Sequence, residues 1–427
     1  MPDVTDNILP RLSTPKLEGL DLGEGSIHPA YDGLSILNVP ASLCKWLGAS
    51  LPPHPPVDLP ELDGMAEEVQ QLVVVLIDSV GHDRFRQWID GMAPVLDPKS
   101  EHCFLAALTS VVPSTTSSAL TSLWTGRSPA EHGILGYEIL LKEYGLVANM
   151  ITHAPMAFEG PGGSLYQAGF RPENVLPVPT LGKYFGGTDI EAHAFLHYSI
   201  GRSGLSRMHY TGVETHMFSG LADLWIGVRD LAQDRLDHPR LIWVYYGSVD
   251  GVSHRHGPNS ERARAEFTHF IQALLQNFIG GLSTAARRQT LLLMLADHGQ
   301  IPTPNDPRYD LHKHPALVGS LHLLPTGENR LAYLYTRPGR VKEVIEYFER
   351  TWPQSFSLIP SEKALTAGLF GPGHPAKEAR DRLGDLIAVS KGDAYLWWAS
   401  KENPLLGRHG GLSPEEMLVP LMAVRLG

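Results

Sequence analysis

The stretch LVVVLID, residues 72–78, runs through six apolar side chains and ends in a carboxylate. Six consecutive apolar positions predict a strand buried on both faces, because a half-exposed strand alternates polar and apolar residues. Two similar runs occupy residues 241–246 and 291–296. Segments with helical periodicity lie between such runs, most clearly at 260–279. This alternation predicts an α/β fold with a mostly parallel central sheet and helices on both faces.

Polar residues follow each of these runs. Asp78, Asp250 and Asp297 come directly or a few residues after the three apolar stretches, and Thr116 lies between a β-rich run and a helical one. The carboxyl ends of parallel strands meet at one edge of a sheet, where functional groups gather. A helix start also offers free N–H groups that favour an anion. We therefore expect these four residues to share one site.

Composition limits the kinds of partner. The chain has 427 residues and a net charge of -11, which argues against binding of duplex nucleic acid because such surfaces are basic. Its two cysteines, Cys44 and Cys103, exclude a disulfide framework and suit a reducing compartment. The N-terminal residues lack a signal-peptide pattern, and no apolar run is long enough to span a membrane. We expect a cytoplasmic protein without a membrane partner.

The pattern changes along the chain suggest its domain organisation. Residues 1–68 are rich in Pro, Gly and Asp, and we expect an irregular N-terminal arm that packs on the core. Residues 69–427 form the predicted catalytic domain. Two stretches of that domain, about 138–235 and 307–400, interrupt the regular alternation and are interpreted as insertions that form a cap.

Several carboxylates and imidazoles have the spacing of metal ligands. Asp250 and His254 are four residues apart, so both reach one ion from a single helical turn. Asp297 and His298 are adjacent at a strand end, and His409 lies near the C-terminus. Asp and His together suit Zn²⁺ or Mn²⁺, and the lack of a thiolate excludes a Cys-type structural zinc site.

Six short segments, in this order, resemble a known family. The chain is similar to members of the alkaline phosphatase superfamily, in its type I phosphodiesterase/nucleotide pyrophosphatase branch. The resemblance implies an alkaline-phosphatase-like fold for the core. The segments are VLID (75–78), PSTT (113–116), LWTGRSPAEHGI (123–134), DGVSHRHGP (250–258), ADHG (296–299) and GRHGG (407–411).

The resemblance implies a metal-dependent hydrolase of phosphodiester or pyrophosphate bonds. Thr116 would be the nucleophile and would form a phospho-threonine intermediate, which water then hydrolyses. The implied cofactors are two divalent ions, zinc first and manganese as the alternative. One ion would be held by Asp250, His254 and His409, and the other by Asp78, Thr116, Asp297 and His298.

The chain departs from the family pattern after the nucleophile. Family phosphodiesterases usually carry an Asn there that contacts a phosphoryl oxygen, whereas this helix has none and Ala119 cannot donate. Lys313, with its neighbours His312 and His314, is one candidate replacement. Pocket aromatics are expected from the first insertion and its edge: Tyr137, Tyr166, Phe185 and Trp225.

Two alternative functions remain from the sequence. A phosphomonoesterase could use the same residues, because the pocket walls select the leaving group. A catalytically idle protein that keeps the metal site to bind a phosphorylated partner is the second. A sulfatase is excluded, because Cys103 lacks the Pro and Arg that its motif requires. The expected substrate is a small phosphate ester or nucleotide-like molecule, and the sequence carries no signal for an oligomeric state.

Overall fold

The computed structural model describes residues 3–14, 17–157, 161–234 and 237–427. Within these ranges the chain forms sixteen strands and seventeen α-helices. The strands are β1 Gln71–Ile77, β2 Cys103–Thr109, β3 Glu138–Leu141, β4 Leu146–Asn149, β5 Ala154–Pro155, β6 Glu191–His197, β7 Glu214–Phe218, β8 Arg240–Tyr246, β9 Thr290–Leu295, β10 Ile301–Pro302, β11 Leu321–Glu328, β12 Leu331–Thr336, β13 Phe356–Pro360, β14 Leu386–Ser390, β15 Gly407–Arg408 and β16 Leu418–Arg425.

The helices alternate with these strands through most of the chain. They are α1 Thr5–Ser13, α2 Val39–Leu47, α3 Pro60–Ala66, α4 His82–Ile89, α5 Thr116–Thr125, α6 Pro129–His132, α7 Leu181–Phe185, α8 Gly204–His209, α9 Leu221–Gln233, α10 Ser248–His256, α11 Glu261–Ala273, α12 Thr284–Gln289, α13 Pro315–Ser320, α14 Val341–Thr351, α15 Ser361–Thr366, α16 Ala379–Leu383 and α17 Pro414–Met417.

The central sheet has the strand order β2-β16-β9-β1-β8-β6-β7. Strand β1 pairs in parallel with β8 and β9, whereas β16 runs antiparallel to both of its neighbours. Every residue of β1, β2 and β9 is buried, as their apolar runs predict. Full burial stabilises each Val, Leu or Ile side chain by about 1.5–3 kcal/mol relative to exposure. The predicted mixed α/β class with a mostly parallel sheet is confirmed.

A second, antiparallel sheet brings together the two stretches that interrupt the regular pattern. Its order is β13-β14-β12-β11-β3-β4-β5. Strands β11 to β14 come from the stretch at 307–400 and β3 to β5 from the beginning of 138–235, with Gly327 opposite Glu138 at the junction. This sheet carries residues that line a cavity next to the carboxyl edge of the central sheet.

The end of the first interrupted stretch belongs to the central sheet. Strands β6 and β7 extend that sheet beyond β8, so residues 191–197 and 214–218 belong to the central sheet. Their sequences, EAHAFLH and ETHMF, mix charged and aromatic residues, and four of the five β7 residues are at least partly exposed. Strand β7 is the edge of the sheet and β6 lies next to it, and exposure near this edge explains why neither strand has a continuous apolar run.

The N-terminal residues lie against the central sheet at its β2 edge. The Val4 amide donates to the Leu105 carbonyl at 2.9 Å, and Leu12 on α1 is fully buried. Farther along, the predicted helix at 260–279 ends as an α-helix at Ala273 and continues as one π-helical turn, Leu274–Phe278. Among the helices that the structure describes, none combines the length and apolarity needed to cross a bilayer.

Candidate active site

The sequence-predicted residues gather at the carboxyl edge of the central sheet. Each of them follows a strand or lies on the helix after it. Asp78 follows β1, Thr116 begins α5, Asp250 and His254 lie on α10 after β8, Asp297 and His298 follow β9, and His409 follows β15. Thr116 lies beside the other six residues, which form two groups of three. Within each group, the ligand atoms lie within 4.8 Å of one another.

The first group, here called the buried group, consists of Asp78, Asp297 and His298. His298 Nε2 lies 3.5 Å from Asp78 Oδ1 and 3.4 Å from Asp297 Oδ2. These two carboxylate oxygens are buried and accept no hydrogen bond within the described residues. Buried carboxylate oxygens are normally satisfied, so two orphaned ones that converge on an imidazole nitrogen fit a bound cation.

The other carboxylate oxygens of the buried group are fixed by hydrogen bonds. Asp78 Oδ2 accepts from the Tyr245 hydroxyl. Asp297 Oδ1 accepts from the backbone amides of Ser79 at 3.2 Å and His298 at 3.0 Å. Ser79 adopts a φ of 63°, a left-handed conformation that costs about 1–3 kcal/mol for a non-glycine residue and is common at functional sites. One oxygen of each carboxylate is thus held while the other faces His298.

Glycine is required immediately after His298. A Cβ atom on Gly299 would lie 1.9 Å from the Glu415 carbonyl oxygen, so no larger residue fits without displacing backbone. The close packing of this turn explains the Asp-His-Gly sequence in physical terms.

The second group, here called the open group, consists of Asp250, His254 and His409. Asp250 Oδ1 lies 3.3 Å from His254 Nε2 and 3.9 Å from His409 Nε2. The same oxygen accepts a hydrogen bond from Gln300 Nε2 at 3.0 Å. The rings of His409 and His298 stack with centroids 3.9 Å apart, so the two groups are in direct contact.

His254, His298 and His409 make the same kind of hydrogen bond through their rings. Each Nδ1 lies within hydrogen-bond distance of a backbone carbonyl, so the proton belongs on Nδ1 and the Nε2 lone pair points into the site. A second hydrogen bond that fixes the tautomer is typical of metal-bound imidazoles. The carbonyl partners are Gly299 for His298 at 3.0 Å, Gly407 for His254 at 2.8 Å and Ser114 for His409 at 3.1 Å.

The electrostatics of the site favour a cation. Burial and then the charges of Asp297 and Asp250 raise the pKa of Asp78 well above its usual value. Burial also raises the pKa of Asp297. Burial and the neighbouring imidazoles lower the pKa of His409 well below its usual value. Clustered carboxylates without a counter-charge destabilise the folded state, and a divalent ion removes that penalty.

Thr116 stands beside the buried group at the start of α5. Its Oγ1 lies 3.1 Å from His298 Nε2. Thr115 occupies the N-cap position, but its hydroxyl donates to Glu328 Oε1 at 2.6 Å and does not cap the helix. The first N–H groups of an α-helix have no partner within the helix, so those of α5 remain donors for an anion next to Thr116.

A cavity of about 410 Å³ opens above Thr116 and the open group. Trp397, Trp398, Met156 and Tyr137 supply much of its apolar wall. Two acidic residues of the second sheet also line the cavity. Burial raises the pKa of Glu328 to about 8, and burial raises the pKa of Glu138 to about 7.

The expected pocket aromatics divide between wall and core. Tyr137 lines the cavity, whereas Phe185 and Trp225 are buried in the core, where Trp225 packs on Phe270 and Phe278. Tyr166 packs against His153 and lies outside the residues that line the cavity. Phe185 and Trp225 are therefore packing residues, and the half-buried Tyr166 contacts His153 and Arg207 instead of the cavity.

The candidates for the missing Asn also lie elsewhere. His312 and Lys313 line a neighbouring surface depression, and His314 is engaged by Tyr347 and the Arg308 carbonyl. Ala119 is fully buried in α5. Donor residues that line the cavity include Asn329 and Lys401, which the sequence gave no reason to select, and Arg408. The signal that could have found Asn329 is its Gly-Glu-Asn turn between two strands, and a turn alone does not identify its cavity.

Comparison with solved structures finds the same fold in phosphate- and phosphonate-handling proteins. Murine ectonucleotide pyrophosphatase/phosphodiesterase 5 aligns with a TM-score of 0.56 and 15% identity over 83% of this chain and 88% of that chain. Its human counterpart aligns with a TM-score of 0.59 and 14% identity over 83% and 87%. Phosphonoacetate hydrolase of Sinorhizobium meliloti, in complex with phosphonoformate, aligns with a TM-score of 0.57 and 19% identity over 83% of this chain and 90% of that chain. At these identities the likeness concerns the fold.

Family assignment rests on the sequence itself. A search of curated protein sequences finds no match for the chain. The family model for type I phosphodiesterase / nucleotide pyrophosphatase matches residues 72–412, which include both ligand groups and Thr116. With this match over most of the chain, and with the fold and site geometry described above, the protein belongs to the type I phosphodiesterase/nucleotide pyrophosphatase family of the alkaline phosphatase superfamily.

Proposed function

We propose that this protein is a metal-dependent hydrolase of phosphodiester or pyrophosphate bonds in which Thr116 attacks phosphorus. The observation that carries the proposal is the position of Thr116 Oγ1, 3.1 Å from His298 Nε2 and at the floor of the cavity that the open group also lines. The AMP complex of the murine neighbour supports the proposal, because it is a threonine-to-alanine form described as inactive.

The donor atoms fit two divalent cations. Asp78, Thr116, Asp297 and His298 would hold one ion. Asp250, His254 and His409 would hold the other. The orphaned carboxylate oxygens and the aligned Nε2 atoms support this division, and the mixture of Asp and His suits zinc, with manganese as the alternative. The ions would supply Lewis acidity that favours the alkoxide of Thr116 and stabilises negative charge on the phosphoryl oxygens.

The residues of the chain then divide the work. Thr116 Oγ1 forms a bond to phosphorus while the first alcohol or phosphate leaves, which gives a phospho-threonine that keeps the remaining ester. The free N–H groups at the start of α5 donate to the phosphoryl oxygens. Water then cleaves the threonine–phosphorus bond and restores the hydroxyl. Throughout the reaction, each histidine keeps its proton on Nδ1 and donates it in a hydrogen bond to a backbone carbonyl.

The family match favours a diester or pyrophosphate over a monoester, because the matching model describes phosphodiesterases and nucleotide pyrophosphatases. The cavity of about 410 Å³ is in the size range of small-molecule sites, so it can enclose the organic groups of such an ester. Trp397, Trp398 and Tyr137 offer flat apolar surfaces for such groups. Asn329 is our candidate for the side-chain donor that the helix after Thr116 lacks.

The test is hydrolysis of a nitrophenyl phosphodiester and the matching monoester by the metal-loaded protein. Chelated protein and the Thr116→Ala variant serve as blanks. We expect a higher kcat/KM for the diester and no turnover in either blank. A preference for the monoester would make the protein a phosphatase. If the metal-loaded protein hydrolyses neither of the two esters and no pyrophosphate-linked nucleotide, the non-catalytic binding function replaces the proposal.

A further inference from the structure

Another set of metal-ligating side chains lies on the outer strands of the central sheet, away from Thr116. In the parallel pairing of β6 and β7, His193 is opposite Glu214, and Phe195 is opposite His216. Side chains two positions apart on a strand point to the same face, so His193, Glu214 and His216 meet on one face of the sheet. Their ligand atoms lie within 4.8 Å of one another.

The separations within this cluster match those around a tetrahedral ion. His193 Nδ1 lies 3.1 Å from His216 Nε2 and 3.6 Å from Glu214 Oε2. His216 Nε2 lies 3.8 Å from Glu214 Oε1. Ligands placed about 2.0–2.1 Å from zinc at the corners of a tetrahedron are roughly 3.4 Å apart. The three observed separations bracket that value.

The second ring nitrogen of His193 is buried beside a carboxylate. The His193 side chain is 9% exposed, and its Nε2 makes no hydrogen bond within the described residues. Glu191 Oε2 lies 3.8 Å from Nε2, too far for a hydrogen bond, and Arg240 holds that oxygen from Nε at 3.0 Å and Nη2 at 2.7 Å. The position of His193 is therefore set by its strand and by the packing around it.

His216 is oriented by packing. Its ring stacks on Phe195 with centroids 4.6 Å apart and an interplanar angle of 17°. The three side chains line a depression at the sheet surface that has room for water.

We propose that His193, Glu214 and His216 bind one zinc ion, with water as a further ligand, at a site independent of the catalytic centre. His193 pairs with Ile242, which pairs with Val73, five residues before Asp78. Five residues of strand span roughly 16 Å, so the two sites lie at different levels of the sheet. An ion here ties the edge strand β7 to β6.

The test measures zinc per chain by equilibrium dialysis against buffered free zinc. His216→Ala removes one ligand from the cluster, and Glu214→Gln weakens another. The Glu214 side chain is 68% exposed, so we expect the Glu214→Gln variant to fold normally. His102→Ala, which removes an exposed imidazole elsewhere, is the matched control. We expect His216→Ala to bind one zinc fewer than the unmodified chain. Glu214→Gln should need at least about tenfold more free zinc than the unmodified chain to bind this zinc ion. His102→Ala should bind as much zinc as the unmodified chain.

The zinc count is a difference between variants, so the result does not depend on how many ions the catalytic centre holds or on turnover. Equal zinc binding by the unmodified chain and His216→Ala across the titration would overturn the proposal. The 3.1 Å contact would then be a hydrogen bond between the two imidazole rings. Cobalt(II) in place of zinc gives a second count, because the visible absorption of a four-coordinate ion should fall in His216→Ala but not in His102→Ala.

Discussion

The two candidate ligand groups differ in how deeply the fold encloses them. In the buried group the side chains of Asp78, Asp297 and His298 are at most 3% exposed, and the carboxylates follow adjacent strands at the middle of the central sheet. In the open group Asp250 and His254 are 18% and 23% exposed and lie on a helix that faces the cavity.

Enclosure changes what each group requires. Buried carboxylates cannot be solvated, so the folded state depends on a cation or on protons to neutralise them. In the open group, water can solvate the carboxylate of Asp250, and the side chains can face a substrate. We therefore expect the buried group to hold its ion tightly next to Thr116, and the open group to release its ion more easily.

The largest expected effect comes from removing the hydroxyl that stands beside the buried group. Thr116→Ala should lower kcat for the diester by at least about a thousandfold, because no other group of the chain replaces the nucleophile. Metal content should be kept, since three ligands of the buried group remain. Steady-state kinetics and metal analysis check both expectations.

Ser114→Ala is the matched control for this change. Its hydroxyl donates to the Gly411 carbonyl at 2.8 Å and accepts from the Gly410 amide at 3.2 Å, so it holds the loop that carries His409. We expect a loss of less than about tenfold in kcat. Abolished turnover in Ser114→Ala together with full turnover in Thr116→Ala would make Ser114 the nucleophile.

Exchange of one carboxylate in each group tests the comparison directly. Asp297→Asn and Asp250→Asn should each weaken binding of their own ion by about 100-fold or more, because an amide is a poorer ligand for a divalent cation. Only Asp297→Asn should raise the melting temperature of the metal-free protein, since it relieves buried charge. Zinc titrations and thermal unfolding measure these effects. Equal behaviour of the two metal-free variants would contradict the assigned difference in enclosure.

A smaller effect should follow from the side chains that hold the carboxylates. Tyr245 donates to Asp78 Oδ2, and Gln300 donates to Asp250 Oδ1. We expect Tyr245→Phe and Gln300→Leu to reduce metal affinity by roughly 10–100-fold. The loss should be larger for Tyr245→Phe, because water cannot replace the hydroxyl at the buried oxygen. The opposite order in a competition titration would show that solvent reaches Asp78.

The pH dependence of stability should report on the cavity wall. The pKa of Glu328 is raised to about 8, above its unfolded value, so the folded protein binds this proton more tightly. The resulting stability is complete below the unfolded pKa of about 4.3 and is lost as pH rises to about 8. Between pH 5 and 8, unfolding free energy should fall more steeply in the unmodified chain than in Glu328→Gln, by at most about 1.4 kcal/mol per pH unit. Parallel curves in urea titrations would rule out a protonated Glu328.

Much of the buried half of the site could be predicted from local sequence. The apolar runs that become β1 and β9 identify buried parallel strands, and parallel strands bring Asp78 and Asp297 to one edge. Thr116 at a strand-to-helix transition follows from the same pattern. His409 was selected through the family resemblance, because a histidine between loop residues has no periodicity to position it.

The cavity wall could not be predicted in this way. Glu328 and Trp398 reach the cavity because β3, from the region after α6, pairs with β11 far along the chain, and no local pattern specifies that pairing. Strands β6 and β7 were not predicted because charged residues and histidines interrupt their apolar positions, and β7 tolerates such residues as the edge strand. The same tolerance allows His193, Glu214 and His216 to lie together there.

Trapping of the covalent intermediate tests the central claim most directly. The metal-loaded protein is mixed with a nitrophenyl phosphodiester, quenched in acid during turnover and digested for mass spectrometry. We predict that the peptide containing Thr116 gains the mass of the phosphoryl group with its remaining ester, and that chelated protein and Thr116→Ala gain none. Steady turnover with that peptide unmodified and the adduct on another residue, Ser114 included, would contradict the account.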